Sequence, residues 1–222
     1  MIAQLFPPNK PLTGRIALPA SKSIANRALI IRALCGQDFP IFNLSEAQDT
    51  ETLESLLQAP AEVYDAGPAG TVFRFMTALL ATRQGTTTLT GSERMKQRPI
   101  GILVNALRAL GANIDYLEKD GFPPLRIHGG SIKGGVVSVD GSISSQFISA
   151  LMMIGPVLKG GLEVRIVGTL ISEPYVQMTA RLMRFFGADP VCKDGSWHIP
   201  ETGYAPRALT VESDWSAASY WY

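Results

Sequence analysis

The sequence is short of cysteine, of net charge and of long apolar runs. Its two cysteines, Cys35 and Cys192, have a spacing that fits neither a metal site nor a redox pair, so we expect both to pack in the core. Twenty Lys and Arg residues against nineteen Asp and Glu leave a formal charge of +1, which argues against a nucleic-acid partner. No run reaches the roughly 18 apolar residues that cross a membrane, and the first residues lack the pattern of a secretory leader. The sequence therefore predicts a cytoplasmic protein with no membrane partner.

What the sequence does contain is a repeated pattern of helices. Four segments share a short polar opening followed by roughly three turns of apolar residues. They span 21–34, 70–82, 144–158 and 214–222. A second helix type spans 49–58, 99–110 and 174–186. The last two of these begin at proline and end at Gly111 and Gly187, as helix starts and left-handed C-caps favour, and we interpret them as copies of one unit.

Stretches rich in β-forming residues fill the gaps between the helices. They span 41–44, 86–90, 113–117, 125–128, 136–139, 162–167 and 208–211, and a short β-like stretch begins near Gly14. Asp-Gly pairs at Asp120 and Asp194 predict turns between neighbouring strands. The order strand, helix, strand, helix, strand, strand recurs about three times between residues 20 and 212, which predicts an α+β domain built from one repeated unit.

Three of the apolar helices open with groups that suit an anion. These groups are Lys22 with Ser23, Gly70 with Thr71, and Ser144 with Ser145 and Gln146. Backbone N–H groups at a helix start lack intrahelical partners and the helix dipole is positive there, so phosphate or carboxylate is favoured. Each serine on its own also fits an ordinary N-cap. In a pseudo-threefold arrangement the three starts converge, and we predict one anion site where they meet.

Two further segments carry candidate ligands. Arg94, Lys96 and Arg98 precede the helix that begins at proline. The first two fit a solvated surface, whereas Arg98 adjoins the helix start, where its guanidinium can bind a carboxylate through two hydrogen bonds. Ser172 and Tyr175 open the corresponding helix of the next repeat, and the tyrosine fits packing as well as ligand binding.

Seven signatures, in order along the chain, resemble the enolpyruvyl transferase family, in particular its branch that acts on shikimate 3-phosphate. They are LPASKS at 18–23 with Asn26 and Arg27, AGT at 69–71 with Arg74, RMKQRPIG at 94–101, PPL at 123–125, SSQF at 144–147, SEPY at 172–175 and VESD at 211–214. The resemblance extends from Pro11 to the end of the sequence. It implies the family's inverse α/β barrel fold, in which each of two similar domains contains three βαβαββ units.

The resemblance also implies a reaction and a set of site residues. The enolpyruvyl group of phosphoenolpyruvate moves to the 5-hydroxyl of shikimate 3-phosphate, phosphate is released, and no metal or organic cofactor takes part. Family residues that bind shikimate 3-phosphate match Lys22, Ser23, Arg27, Ser144, Ser145, Gln146, Ser172 and Tyr175. Those that bind phosphoenolpyruvate match Lys22, Gly70, Arg98 and Gln146. Lys22 is the expected catalytic residue, because its charge can stabilise the negative charge that develops on the attacking oxygen.

The resemblance also divides the chain. We expect 1–19 to hold the first strand of a partner domain, 20–212 to form the domain that binds shikimate 3-phosphate, and 213–222 to begin the partner domain. Since the family's second half supplies the proton acceptor, we expect this chain to be a truncated part that is inactive alone, from an enzyme that is monomeric when whole.

Two other readings stay open at this point. One is an enolpyruvyl transferase that acts on UDP-N-acetylglucosamine, which is disfavoured because no cysteine lies near 94–99. The other is an anion-binding module without catalysis.

Overall fold

Helices and strands alternate along the chain in the computed structural model, which describes residues 13–221. The helices are α1 (Lys22–Cys35), α2 (Gln48–Gln58), α3 (Gly70–Thr82), α4 (Glu93–Lys96), α5 (Gly101–Ala109), α6 (Ser145–Ile154), α7 (Glu173–Phe185) and α8 (Trp215–Ala218). The strands are β1 (Ile41–Phe42), β2 (Val63–Asp65), β3 (Gly85–Thr90), β4 (Asn113–Tyr116), β5 (Leu125–Gly129), β6 (Gly135–Asp140), β7 (Leu162–Val167), β8 (Val191–Lys193), β9 (Ser196–Ile199) and β10 (Leu209–Thr210). Short 3-10 turns follow α6 and α8, at Gly155–Val157 and Ser219–Trp221.

Two four-stranded sheets have the same topology. Their strand orders are β2-β3-β5-β4 and β6-β7-β9-β8. In each sheet the first two strands are parallel, and the remaining two pairs are antiparallel. With the helices between the strands, both segments follow the order βαβαββ. The internal repeat predicted from the sequence is therefore confirmed for these two units.

The third unit is smaller. Strand β1 pairs in parallel with β10, so that Ile41 lies opposite Leu209, and α1 and α2 lie on either side of β1 in the chain. A strand from the end of the domain thus takes the place that β2 and β6 hold in the other units. The α+β fold is confirmed, and within the described residues this third sheet has two strands.

Buried helices form the centre and the sheets lie outside them. Nearly every residue of α3 and α6 is buried, and α3 packs against α1, α5 and α6. A helix that is apolar on all sides must be surrounded by other elements. By contrast, the outer strand β6 alternates buried and exposed residues toward its end, as a strand with one face to water does. Because the sides of the central helices are covered by other elements, polar groups can meet at the starts of these helices.

The turns agree with the sequence in part. Gly111 and Gly187 follow α5 and α7 with φ of +94° and +89°, as predicted for left-handed helix ends. Asp194 and its neighbouring glycine form the predicted two-residue turn between β8 and β9. The pair at Asp120 instead lies within a longer loop between β4 and β5. Helix α5 begins at Gly101, two residues later than its proline suggests.

Several expectations need correction. Cys192 is exposed on β8, so only Cys35, which is partly buried, approaches the core. The described residues of the predicted β-like stretch, 13–19, form no strand, and residues 1–12 and Tyr222 lie outside the described residues. Within the described chain, no helix is both long enough and apolar enough to cross a membrane.

Candidate functional site

A cavity of about 290 Å³ lies where the starts of α1, α6 and α7 meet. Its lining consists of Lys22, Ser23, Asn26, Arg27, Thr71, Ile143, Ser144, Ser145, Gln146, Ile171, Ser172 and Tyr175. All eight residues that the sequence assigns to shikimate 3-phosphate are among them, although they come from three separate parts of the chain. Of the three helix starts that the repeat predicts to converge, those of α1 and α6 open on this cavity and that of α3 contributes Thr71, while the start of α7 is an addition. The ligand-binding role of these residues stays a prediction.

The helix starts at this cavity differ in how they are capped. In α6, the backbone N–H of Gln146 donates to Ser144 Oγ at 3.3 Å. No side chain caps α1, whose N-cap is Ser21, or α3, whose N-cap is Ala69. Uncapped N–H groups at a helix start favour an anion because they need an acceptor and because the dipole is positive there.

Arg27 is the most deeply buried cation of the cavity, with 2% of its surface exposed. Its Nε donates to Thr179 Oγ1 at 2.6 Å, its Nη1 to the Ser23 carbonyl oxygen at 2.9 Å and its Nη2 to Ser149 Oγ at 3.2 Å. The guanidinium also lies 5.4 Å from the centre of the Phe75 ring. Burial lowers the pKa of Arg27 from 12.5 to about 10, so it stays charged at neutral pH. Neutral oxygens hold the side chain in place, and an anion in the cavity would supply its counter-charge.

A second cationic cluster adjoins the cavity at the start of α3. A Cβ atom on Gly70 would lie 2.8 Å from Arg98 Cζ and 2.9 Å from Arg74 Nη1, so the glycine is what lets both guanidiniums approach the backbone. Arg74 Nη1 donates to Gln146 Oε1 at 2.5 Å, and Gln146 Nε2 donates to Thr71 Oγ1 at 3.0 Å. Burial, and then the charge of Arg98, lower the pKa of Arg74 to about 10. The predicted phosphoenolpyruvate residues Gly70, Arg98 and Gln146 therefore lie together.

The other cations that the sequence singles out differ in their partners and in their positions. Lys22 Nζ lies 3.2 Å from Asp49 Oδ2 in the first turn of α2, and 45% of the lysine side chain is exposed. Lys96 lies in α4 and pairs with Glu118 at 3.0 Å. Of the three cations that precede α5, Arg98 approaches the site, which agrees with its predicted difference from the other two.

The start of α7 has an unusual backbone. Ser172 adopts φ of +56° and ψ of +37° as the N-cap residue, a left-handed conformation that costs a non-glycine residue roughly 1–3 kcal/mol. Such conformations cluster at ligand sites, because the surrounding structure holds them in place for a function. Tyr175, one turn later, is 40% exposed, and its ring centre lies 5.9 Å from Arg27 Cζ.

Sequence reasoning misses several residues of the site. It gives no role to Arg74 or Asn26, and it does not foresee the pair formed by Lys22 and Asp49. A signal is available for Asn26 and Arg74, because each is a polar residue inside an otherwise apolar helix. The partners of Lys22 and Arg74 come from distant parts of the chain and carry no local signature.

The composition of the cavity suits binding more than proton transfer. Among its described lining residues there are two cations, Lys22 and Arg27, and no carboxylate or histidine. A neighbouring groove of about 800 Å³ is lined in part by Glu173, Glu212 and Asp214, and these carboxylates disfavour an anion there. No three His, Cys, Asp or Glu side chains within 13–221 lie close enough together to hold a metal ion.

Comparisons with known proteins converge on one family. The family profile described as EPSP synthase (3-phosphoshikimate 1-carboxyvinyltransferase) matches residues 7–59 and 53–222. A 3-phosphoshikimate 1-carboxyvinyltransferase of Bacteroides fragilis (strain YCH46) is 53% identical over 212 residues, which are 95% of this chain and 52% of that protein. An enzyme of the same name from Sulfurovum sp. (strain NBC37-1) is 40% identical, over 96% of this chain and 57% of its own length.

Among solved structures, an EPSP synthase from Acinetobacter baumannii superposes with a TM-score of 0.81 at 21% identity. The alignment covers 93% of this chain and 52% of that structure, and it supports the fold. The chain thus spans about half the length of the relatives that it matches.

Proposed function

This chain belongs to the EPSP synthase family, and from that premise we propose that it is the part of a 3-phosphoshikimate 1-carboxyvinyltransferase that binds shikimate 3-phosphate. The observation that carries the proposal is one cavity of about 290 Å³ lined by Lys22, Arg27, four serines, Gln146 and Tyr175. A ligand with a phosphate and a carboxylate needs several donors and cations at once. Two cations and uncapped helix starts provide them.

In the proposed reaction, the 5-hydroxyl of shikimate 3-phosphate gives up its proton as its oxygen adds to C2 of phosphoenolpyruvate, and C3 gains a proton. The tetrahedral intermediate then loses phosphate from C2 and a proton from C3, which restores the enolpyruvyl group on the new ether oxygen. Arg98 and the start of α3 at Gly70 hold phosphoenolpyruvate beside Gln146. Lys22 stabilises negative charge at the attacking oxygen.

We further propose that the described domain ends near residue 212 and that a complementary half packs beside it. Segments 19–21 and 212–214 run side by side, joined by hydrogen bonds from Ser21 N to Glu212 O and from Asp214 N to Pro19 O, both 2.8 Å long. Beyond them, Trp215 and Trp221 are 73% and 64% exposed. Large exposed aromatics grouped in one segment are typical of a surface that another domain covers.

The proposal that catalysis needs both halves of the enzyme is tested by measuring phosphate release with both substrates. The cavity contains no carboxylate or histidine among its described lining residues, so we expect no measurable turnover from this chain alone. Turnover should appear when the complementary half of the Bacteroides fragilis relative is added. Robust turnover by this chain alone would contradict the proposal that the other half supplies the proton acceptor.

Neutralising Asp49 should strengthen anion binding. The Asp49→Asn substitution removes a negative charge 3.2 Å from Lys22 Nζ but keeps an oxygen that can accept from the lysine. We expect the affinity for shikimate 3-phosphate to rise about threefold at low ionic strength, and the gain to shrink in high salt. Titration calorimetry at two salt concentrations measures this effect.

Glu51→Gln is the matched control for Asp49→Asn. Glu51 is an exposed carboxylate in the same first turn of α2, so its loss changes the net charge equally without touching Lys22. We expect it to leave the affinity nearly unchanged. A weaker affinity in Asp49→Asn would show that the carboxylate positions Lys22 rather than competing with the ligand.

A further inference from the structure

Asn26 is a polar side chain in the cavity whose hydrogen-bonding groups have no partner within residues 13–221. It lies in the second turn of α1, is 0% exposed and lines the cavity beside Ser23 and Arg27. Neither its Oδ1 nor its Nδ2 has a hydrogen-bond partner among the described residues. A buried amide left in this state costs roughly 1–3 kcal/mol for each unpaired group.

The polar groups around Arg27, the next residue in the helix, are by contrast paired with one another. Arg27 donates to Thr179 and Ser149, and Thr179 Oγ1 also donates to Ser149 Oγ at 2.9 Å. An apolar side chain at position 26 would not carry the desolvation cost of an unpaired amide. Buried polar groups are paired as a rule, so the partner of this amide is to be sought in the cavity that it lines.

The chemistry of an amide narrows the class of partner. The side chain of Asn26 presents a donor and an acceptor close together. Phosphate and carboxylate oxygens only accept at neutral pH, and either one would leave Oδ1 unpaired. A hydroxyl group both donates and accepts and would satisfy the two ends of the amide. We propose that Asn26 binds a ring hydroxyl of shikimate 3-phosphate, an inference that rests on the proposed function.

The test compares two variants that each remove an unpaired buried polar group. Asn26→Leu replaces the amide by an apolar side chain of similar size. Thr50→Val is the matched control, because Thr50 Oγ1 is also buried without a partner in the described part of the chain but does not line the cavity. Calorimetric titration gives the affinity of each variant for shikimate 3-phosphate, and thermal unfolding without ligand shows that each is folded.

We expect Asn26→Leu to bind shikimate 3-phosphate at least about tenfold more weakly, equivalent to about 1.4 kcal/mol, and Thr50→Val to bind it as the unchanged chain does. The unfolding temperature of ligand-free Asn26→Leu should not fall, because an unpaired amide is removed. In the unchanged chain, the side-chain NH2 resonances of Asn26 should shift as shikimate 3-phosphate saturates the site. This measurement tests the contact even if Asn26→Leu does not fold.

Three outcomes would overturn the inference. The first is an affinity of Asn26→Leu for shikimate 3-phosphate within twofold of that of the unchanged chain. The second is an absence of any shift of the Asn26 NH2 resonances at saturation. Either result would mean that the amide does not contact the ligand, while the proposed function would stand. If the unchanged chain does not bind shikimate 3-phosphate, the proposed function fails and this inference fails with it.

Discussion

Replacing Arg27 by methionine should lower the affinity of the chain for shikimate 3-phosphate by about 100-fold, as expected when a buried charge that hydrogen-bonds to an anion is lost. Arg27 is 2% exposed, and its four hydrogen-bond acceptors among the described residues are uncharged oxygens. No carboxylate among these acceptors offsets its charge, and because the guanidinium is buried, an anion in the cavity interacts with it more strongly than it would at the surface.

The ligand-free Arg27→Met chain should stay folded. The substitution removes hydrogen bonds, but it also removes the cost of burying a charge that no carboxylate among its hydrogen-bond acceptors offsets, so we expect the free energy of unfolding to change by less than about 2 kcal/mol. Thr179 and Ser149 keep their mutual hydrogen bond of 2.9 Å. Titration calorimetry gives the affinity, and urea denaturation gives the stability.

Arg32→Met is the matched control for Arg27→Met. Arg32 lies in the last turn of the same helix, away from the cavity, and pairs only loosely with Asp38 and Glu54 at 3.7 and 3.8 Å. Its replacement removes the same charge and should leave the affinity for shikimate 3-phosphate within about threefold, because solvent and salt screen a partly exposed charge away from the cavity. Equal losses in the two variants would show that Arg27 acts through net charge and not through the cavity.

Replacing Gly70 by alanine should weaken binding of phosphoenolpyruvate by about tenfold to 100-fold, the range expected when a charged hydrogen-bond donor is lost. The new Cβ would collide with Arg98 Nη1 and lie 2.9 Å from Arg74 Nη1. Both guanidiniums are the ends of flexible side chains, so they move and the fold survives. The affinity for shikimate 3-phosphate should change little, because Gly70 does not line the cavity that we assign to it.

Gly101→Ala is the matched control for Gly70→Ala. Gly101 is also the first residue of a helix, and a Cβ there would lie 3.5 Å from Gly121 Cα, an ordinary contact. Titration of phosphoenolpyruvate into each variant saturated with shikimate 3-phosphate measures the effect. A normal affinity in Gly70→Ala would contradict the assignment of Arg98 and the start of α3 to phosphoenolpyruvate.

The sequence predicts those parts of the fold that local patterns determine. Helix α3 occupies 70–82 in both the prediction and the structure, because a glycine followed by a continuous apolar run of this length favours a helix with these bounds. The sequence does not predict strand β2, since its three residues alternate in burial over too short a length to form a pattern. Composition predicts a buried Cys192 because cysteine is usually buried, whereas β8 exposes all three of its residues.

The site could be predicted as a set of residues but not as a geometry. Converging helix starts follow from the repeat, and the structure brings Lys22, Ser144 and Ser172 to one cavity. The hydrogen bonds that hold Arg27 link it to Ser149 and Thr179, residues far away in the chain that no local pattern connects with it. The left-handed backbone of Ser172 likewise depends on tertiary structure, because an isolated serine would avoid it.

Titration of shikimate 3-phosphate into the isotope-labelled chain tests the central claim most directly. We predict saturable shifts of the backbone amide resonances of Ser23, Ser144, Ser145 and Gln146, which line one cavity, with no change at the exposed Cys192. Shifts confined to Trp215 and Ser216 in the neighbouring groove, or no saturable shift at all, would contradict the claim that this cavity binds shikimate 3-phosphate.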